Sequence, residues 1–122
     1  MPVTKDQFNA FCGNLPGSTH VVQWGGSEVW KVGGKVFALG GWETGMAAIT
    51  FKVSEAGYEM LSQQPGLRPA PYLASRGLKW VQLYAKPGLT DQDLKAYLLR
   101  SYGMITDQLP KKARAALGLI VA

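Results

Sequence analysis

The chain has 122 residues, of which 47% are hydrophobic and 17% charged, a balance typical of a globular protein and not of a disordered one. One domain over residues 1–122 is expected, and it is large enough to bury a core without disulfides or a structural metal. No apolar run approaches the roughly 18 residues of a membrane span, and neither a secretory leader nor a cysteine pair is present, so a cytoplasmic protein is expected. The net charge of +5 is compatible with an acidic partner such as nucleic acid.

The first predicted element is a helix from about Lys5 to Leu15. Thr4 is a favourable N-cap residue, and Gln7 follows at the position that completes a capping box. Apolar residues at helical spacing predict the side that is buried. These residues are Phe8, Phe11, Cys12 and Leu15.

A hairpin from about Glu28 to Gly40 is the most strongly indicated β structure, after a short strand at about Val21–Trp24. Two runs rich in β-branched and aromatic residues flank Gly33-Gly34, and glycine supplies the positive φ that a two-residue hairpin turn requires. This register places Trp30 opposite Phe37, an aromatic cross-strand pair that would stabilise the hairpin.

The middle of the chain alternates between strand and helix patterns. A strand is predicted at about Ala47–Val53, followed by a helix at about Glu55–Gln64 that is capped by Ser54. The stretch from Pro65 to Gly77 contains three prolines and two glycines, which indicates a long loop. Strand alternation resumes at about Lys79–Tyr84.

Two helices are predicted at the end of the chain. The first runs from about Asp91 to Leu109 with Thr90 as its N-cap, and the second from Pro110 to about Leu117. The buried stripe of the longer helix is predicted from its apolar spacing. It comprises Leu94, Tyr97, Leu98, Ser101, Tyr102, Ile105 and Leu109.

The order of these elements predicts an α+β fold. Short glycine-rich turns join consecutive strands, so the strands must be antiparallel, and about five of them would form one layer of a two-layer sandwich. The helices pack mainly on one face of the sheet, and the other face is at least partly exposed. In the predicted register that second face carries Thr50, Lys52, Trp80, Gln82 and Tyr84.

Five stretches resemble successive landmarks of the bacterial MmcQ/YjbR family, in family order and across nearly the whole chain. They are Trp30 to Ala38, Arg68 to Tyr72, Lys79 to Val81, Ser101-Tyr102, and Leu109 to Arg114. The resemblance implies a fold similar to that of CyaY, the bacterial frataxin. It also implies a DNA-binding role, because family members are usually labelled so from the likeness of their fold to a "double wing" phage transcription factor domain.

Basic residues and one tryptophan are the candidate contacts to nucleic acid, because cations neutralise phosphates and an aromatic ring can stack on a base. They are Lys31, Lys35, Arg68, Arg76, Lys79, Trp80, Lys111, Lys112 and Arg114. Each group also has a structural interpretation. The cations of the last helix can form a solvated face, those of the hairpin can protect an exposed strand, and Trp80 can pack the long loop onto the sheet.

No residue pattern predicts an enzyme, a cofactor or a metal site. His20 is the single histidine and is expected in a turn, where a surface or capping role is the simplest interpretation. Cys12 lies on a buried helix stripe. Glu55 and Glu59 lie one helical turn apart without a third ligand, and the first helix lacks the acidic ridge that iron binding of the frataxin kind needs.

Two functions therefore remain open for what is expected to be a monomer. The first is a DNA-binding protein that makes its contacts through basic residues. The alternative is a module that binds a protein or a small ligand through the exposed sheet face, or near Trp24, Trp42 and Trp80, without binding nucleic acid.

Overall fold

The computed structural model describes residues 3–42, 48–71 and 77–118. Six antiparallel strands in these ranges form a sheet with the order β1-β2-β3-β4-β6-β5. The strands are β1 (Ser18–Gln23), β2 (Ser27–Val32), β3 (Lys35–Gly41), β4 (Ala48–Lys52), β5 (Leu67–Pro69) and β6 (Trp80–Leu83). The helices are α1 (Lys5–Gly13), α2 (Glu55–Leu61), α3 (Asp91–Asp107) and α4 (Lys111–Ala116). The predicted α+β sandwich is confirmed.

The three predicted N-caps, Thr4, Ser54 and Thr90, are confirmed. Each side-chain oxygen accepts a hydrogen bond from the backbone N–H three residues ahead, and Gln7 completes the capping box of α1. The fourth helix, α4, begins after Pro110, which has no side-chain cap. The helix starts therefore follow from local hydrogen bonding.

The first three helices end two or three residues earlier than predicted. Their last predicted residues lie in turns closed by hydrogen bonds between residues three apart, such as Leu15 N to Cys12 O and Gln64 N to Leu61 O. Leu109 N donates to Thr106 O in the same way. These tighter turns satisfy carbonyl groups that a helix end leaves without a partner.

The hairpin turn is confirmed, but the aromatic pair beside it is wrong. Val32 pairs with Lys35, and Gly33 and Gly34 between them have φ of 59° and 80°. A β-bulge then shifts the register, so that Trp30 faces Ala38 and not Phe37. The bulge adds one residue to β3 and re-aims its side chains. The Phe37 ring instead meets the Tyr102 ring of α3 edge-on, with 5.3 Å between centroids.

Two predictions at the edges of the sheet are also wrong. The loop predicted from Pro65 to Gly77 contains β5, which pairs with β6, and residues 72–76 of that loop lie outside the described residues. Three residues ending in proline are too few to show strand alternation in the sequence. At the opposite edge, β1 begins at Ser18 and includes His20, whereas Trp24 lies beyond its end. Ala47, the predicted start of β4, is outside the described residues.

The helices pack on one face of the sheet around a single hydrophobic cluster. Phe51 of β4 stacks on Tyr97 of α3 with 5.8 Å between ring centroids. Ser101 of α3 is fully buried; its hydroxyl donates to the Phe37 carbonyl at 2.6 Å and accepts from Lys52 N at 2.9 Å. One side chain of the predicted stripe therefore ties α3 to two neighbouring strands.

The face away from the helices carries the predicted residues in the predicted register. Thr50 pairs with Gln82, and Lys52 pairs with Trp80. This face is only partly exposed, because Thr50 and Trp80 keep 3% and 7% of their surface accessible, whereas Tyr84 keeps 38%. None of the helices in the described ranges is long and apolar enough to cross a membrane.

Candidate nucleic-acid interface

Four lysines lie at the same end of the sheet. Because neighbouring strands alternate in direction, the last residues of β2 and β4 and the first residues of β3 and β6 meet there. Lys31 is next to last in β2, Lys35 begins β3, Lys52 ends β4, and Lys79 directly precedes β6. Adjacent strands are about 4.8 Å apart, so these backbone positions form a row across the sheet.

The contact between Gly33 and Leu109 brings two more lysines to this end. A Cβ added at Gly33 would lie 2.6 Å from Leu109 Cδ1, so the hairpin turn packs against the residue just before α4. Lys111 and Lys112, the first two residues of α4, are exposed. We call the six lysines together the basic end. They are Lys31, Lys35, Lys52, Lys79, Lys111 and Lys112.

The lysines of the basic end differ in their side-chain contacts and in their exposure to solvent. The Lys79 ammonium lies 4.7 Å from the centre of the Tyr58 ring of α2, a cation–π contact that positions it. Lys35, Lys111 and Lys112 are exposed. Within the described ranges the only basic and acidic side chains close enough for a salt bridge are His20 and Glu28, so no lysine of the basic end is neutralised by a described carboxylate.

Arg114 differs from the two lysines that precede it in α4. It is half-buried, and its Nε is enclosed without a hydrogen-bond partner among the described residues. Leu117, at the end of the same helix, packs against Gly17, where an added Cβ would lie 3.3 Å from Leu117 Cβ. The helix thus presents Lys111 and Lys112 outward, whereas Arg114 is partly packed.

Arg68 and Trp80 do not join the basic end. Arg68 lies on edge strand β5, where its Nε and Nη2 donate to Gln82 Oε1 at 2.9 and 2.6 Å. Its guanidinium carbon is 4.3 Å from the centre of the Tyr84 ring. Trp80 is buried and offers no free ring for stacking on a base, which favours its structural interpretation. Arg76 lies outside the described residues.

The three tryptophans of the alternative hypothesis do not share one surface. Trp24 is 62% exposed at the end of β1. The Trp42 ring lies 5.3 Å from that of Phe8, and its Nε1 donates to the carbonyl oxygen of Val3 at 3.4 Å. Trp42 is therefore half-buried near the start of α1, and Trp80 is buried at the opposite end of the sheet.

A polar cluster that the sequence did not indicate surrounds His20. Its Nε2 lies 3.0 Å from Glu28 Oε1, which also accepts from Asn9 Nδ2 at 2.9 Å. Trp30 Nε1 donates to Asn9 Oδ1 at 2.8 Å, and the His20 ring stacks on Trp30. The Asn9 hydrogen bond, with smaller contributions from His20 and Lys5, lowers the pKa of Glu28 despite its burial. His20 thus partners a buried carboxylate instead of lying in a turn.

Cys12 is buried, and the acidic residues that the structure describes form no metal-binding cluster. Cys12 is fully buried, and burial raises the pKa of its thiol to about 12, which keeps it protonated at neutral pH. The described residues contain no group of three or more His, Cys, Asp or Glu side chains that could hold a metal ion.

The architecture defines an α+β protein with helices on one side of an antiparallel sheet, and two crystal structures share it. A Deinococcus radiodurans protein with a DUF419 domain is 25% identical with a TM-score of 0.84, over 96% of this chain and 89% of that one. A Pseudomonas syringae protein is 18% identical with a TM-score of 0.66, and the match covers 84% of this chain and 98% of that one. No curated protein matches. The model of the YjbR family matches residues 13–104. The chain belongs to the YjbR family, as the sequence landmarks indicated.

Sequence reasoning missed Lys52 as a member of the basic end. The strand alternation predicts it only as a residue of the exposed face, although its position next to the end of the predicted strand Ala47–Val53 is a usable signal. The sequence offered no comparable signal for the contact of Gly33 with Leu109, because the two residues are far apart in the chain.

Proposed function

We propose that this protein binds DNA through the basic end, mainly by contacts to phosphates. The contact of Gly33 with Leu109 carries the proposal, because it joins the lysines of the hairpin to those of α4. A cluster of unpaired lysines attracts a polyanion and gains affinity from the counterions that DNA releases. The DNA-binding role that the family resemblance implies is consistent with this surface.

The shape and composition of the basic end favour duplex DNA bound without strong sequence preference. The β2–β3 hairpin is flanked in the sheet by β1 and β4. The basic end is therefore a broad surface suited to the phosphate backbone, and not a two-stranded ribbon that could enter the major groove. Lysine contacts phosphates as a flexible point charge, whereas base recognition is commonly made by arginine, asparagine or glutamine. Two carboxylates, Glu55 and Asp107, lie near the same end and would oppose binding.

The test is fluorescence anisotropy of labelled duplex DNA at low and near-physiological salt. The variant Lys35→Ala/Lys111→Ala/Lys112→Ala should weaken binding and flatten the salt dependence by about one unit of log–log slope for each lysine that contacts a phosphate. The matched control removes three exposed lysines from elsewhere on the protein. It is Lys5→Ala/Lys86→Ala/Lys95→Ala, which has the same net charge.

The two triple variants separate a defined surface from general charge attraction. If both lose affinity equally, the basic end is not the binding surface and only net charge matters. If the wild-type protein fails to bind duplex DNA even at low salt, the proposed function is wrong. Neutralising Glu55 by Glu55→Gln should strengthen binding, since it removes an opposing charge near the phosphates.

A further inference from the structure

A solvent-open groove between α2 and α3 has a volume of about 550 Å³, within the size range of small-molecule sites. Glycines contribute to both walls, Gly57 from α2 and Gly103 from α3. A Cβ added at Gly103 would meet nothing within 4 Å, so the missing side chain leaves open space there. The remaining wall is largely apolar, and it includes Val53, Ala56, Met60, Tyr97 and Met104.

The charged residues that line this groove are Arg100 and Asp107 of α3 and Lys52 of β4. Arg100 and Asp107 both line it from α3, about two helical turns or roughly 10 Å apart along the helix axis. The Arg100 guanidinium carbon lies 5.2 Å from the centre of the Tyr97 ring, which holds the cation beside the apolar wall. None of these three residues forms an ion pair with another described residue.

We propose that the groove binds a small elongated molecule with an apolar body and one carboxylate, and that the carboxylate lies at Arg100. A guanidinium recognises a carboxylate through paired, charge-assisted hydrogen bonds. The apolar body is buried against the wall, where the flexible side chains of Met60 and Met104 adapt to its shape. Asp107 disfavours a second anionic group at the far end. The groove shares Lys52 with the basic end, but Arg100 is not part of that surface, so carboxylate binding can be tested in the absence of DNA.

Titration with decanoate, followed by two-dimensional amide NMR of the labelled protein, tests the site. The amide signals of Gly57 and Gly103 should shift and saturate. Those of Gly25 and Gly77, which lie outside the groove, should not move. Absence of saturable shifts at Gly57 and Gly103 with millimolar decanoate, or equal shifts at all four glycines, would overturn the proposal.

Two related ligands test whether the carboxylate of decanoate binds at Arg100. Decanedioate should bind more weakly than decanoate, because its second carboxylate faces Asp107. Decanol has the same chain without a charge, and it should bind about tenfold more weakly because it cannot form the charge-assisted bonds. Equal affinity for decanol and decanoate would contradict the placement of the carboxylate at Arg100.

Three variants test which residues of the groove contribute to decanoate binding. Arg100→Gln should weaken decanoate binding by about tenfold, and Lys95→Gln, which removes a cation from the same helix outside the groove, should leave it unchanged. Gly103→Leu should preserve the fold, since the helix gains a better helix former and the new side chain enters open space. It should abolish binding; unchanged affinity in this variant would show that decanoate binds elsewhere.

Discussion

The two faces of the sheet both carry hydrogen-bonded polar side chains, but they hold them in different surroundings. On the helix-covered face, Glu28 of β2 and Ser101 of α3, which packs against that face, are buried, and each has two hydrogen-bond partners. On the opposite face, a chain of hydrogen bonds runs from Thr50 through Gln82 and ends at the exposed Arg68. Loss of a hydrogen bond should therefore change the stability of the protein by different amounts on the two faces.

Access to water explains this difference. When a buried hydrogen bond is broken, the remaining partner stays dry and unpaired, and the cost is its full desolvation. When the bond lies at the surface, water replaces the lost partner and little stability is lost. Substitutions that remove equivalent groups should therefore lower the free energy of unfolding more on the helix-covered face than on the opposite face.

The largest difference in stability between the two faces is expected when an aromatic residue is removed. Phe37→Ala should destabilise the protein by about 3–5 kcal/mol, because it leaves a cavity beneath α3. Tyr84→Ala on the opposite face should cost less, about 1 kcal/mol, since the ring is partly exposed. Urea unfolding of both variants measures the two free energies. Similar values would mean that the two faces are equally well packed.

A smaller difference is expected for single polar side chains. Ser101→Ala leaves the Phe37 carbonyl and the Lys52 N–H unpaired in the interior, and should cost about 1–3 kcal/mol. Gln82→Ala should cost less, about 1 kcal/mol, because water can replace Gln82 at the exposed Arg68 and only the buried Thr50 hydroxyl loses a partner. The same urea titrations give both values. If Gln82→Ala is the more damaging variant, Arg68 is not as accessible to water as its exposure indicates.

The smallest effect is expected in the pH dependence of stability. The pKa of Glu28 is lowered, chiefly by the hydrogen bond from Asn9, so the folded state favours the ionised carboxylate. This stabilisation is fully present above the ordinary carboxyl pKa, and it is lost as the pH falls through the lower pKa of the folded state. Free energies of unfolding measured from neutral to acid pH should therefore fall less steeply in Glu28→Gln.

Asn9→Ala provides the matched control for that experiment. It keeps the carboxylate but removes the hydrogen bond that contributes most to the lowered pKa. Its stability should therefore depend less on pH than that of the wild-type protein, though more than that of Glu28→Gln. A profile identical to the wild type would assign the pH dependence to other groups.

The sequence by itself determined the starts of the first three helices, the hairpin turn and the alternation of β4 and β6. Thr4, Ser54 and Thr90 cap helices through hydrogen bonds to residues three positions away, and Gly33-Gly34 adopts the positive φ of its turn without help from distant residues. These interactions are local, so they can be recognised from spacing alone. The placement of Thr50 and Gln82 on the same face followed from strand alternation, and their pairing is seen only in the structure.

Only the tertiary structure decided which of these elements meet. The bulge that turns Phe37 towards Tyr102, the pairing of β5 with β6, and the packing of Gly33 on Leu109 all join residues distant in the chain. The groove between α2 and α3 likewise exists only once both helices lie on the sheet. Such contacts depend on the shape of the assembled core, and that shape is absent from any local stretch of sequence.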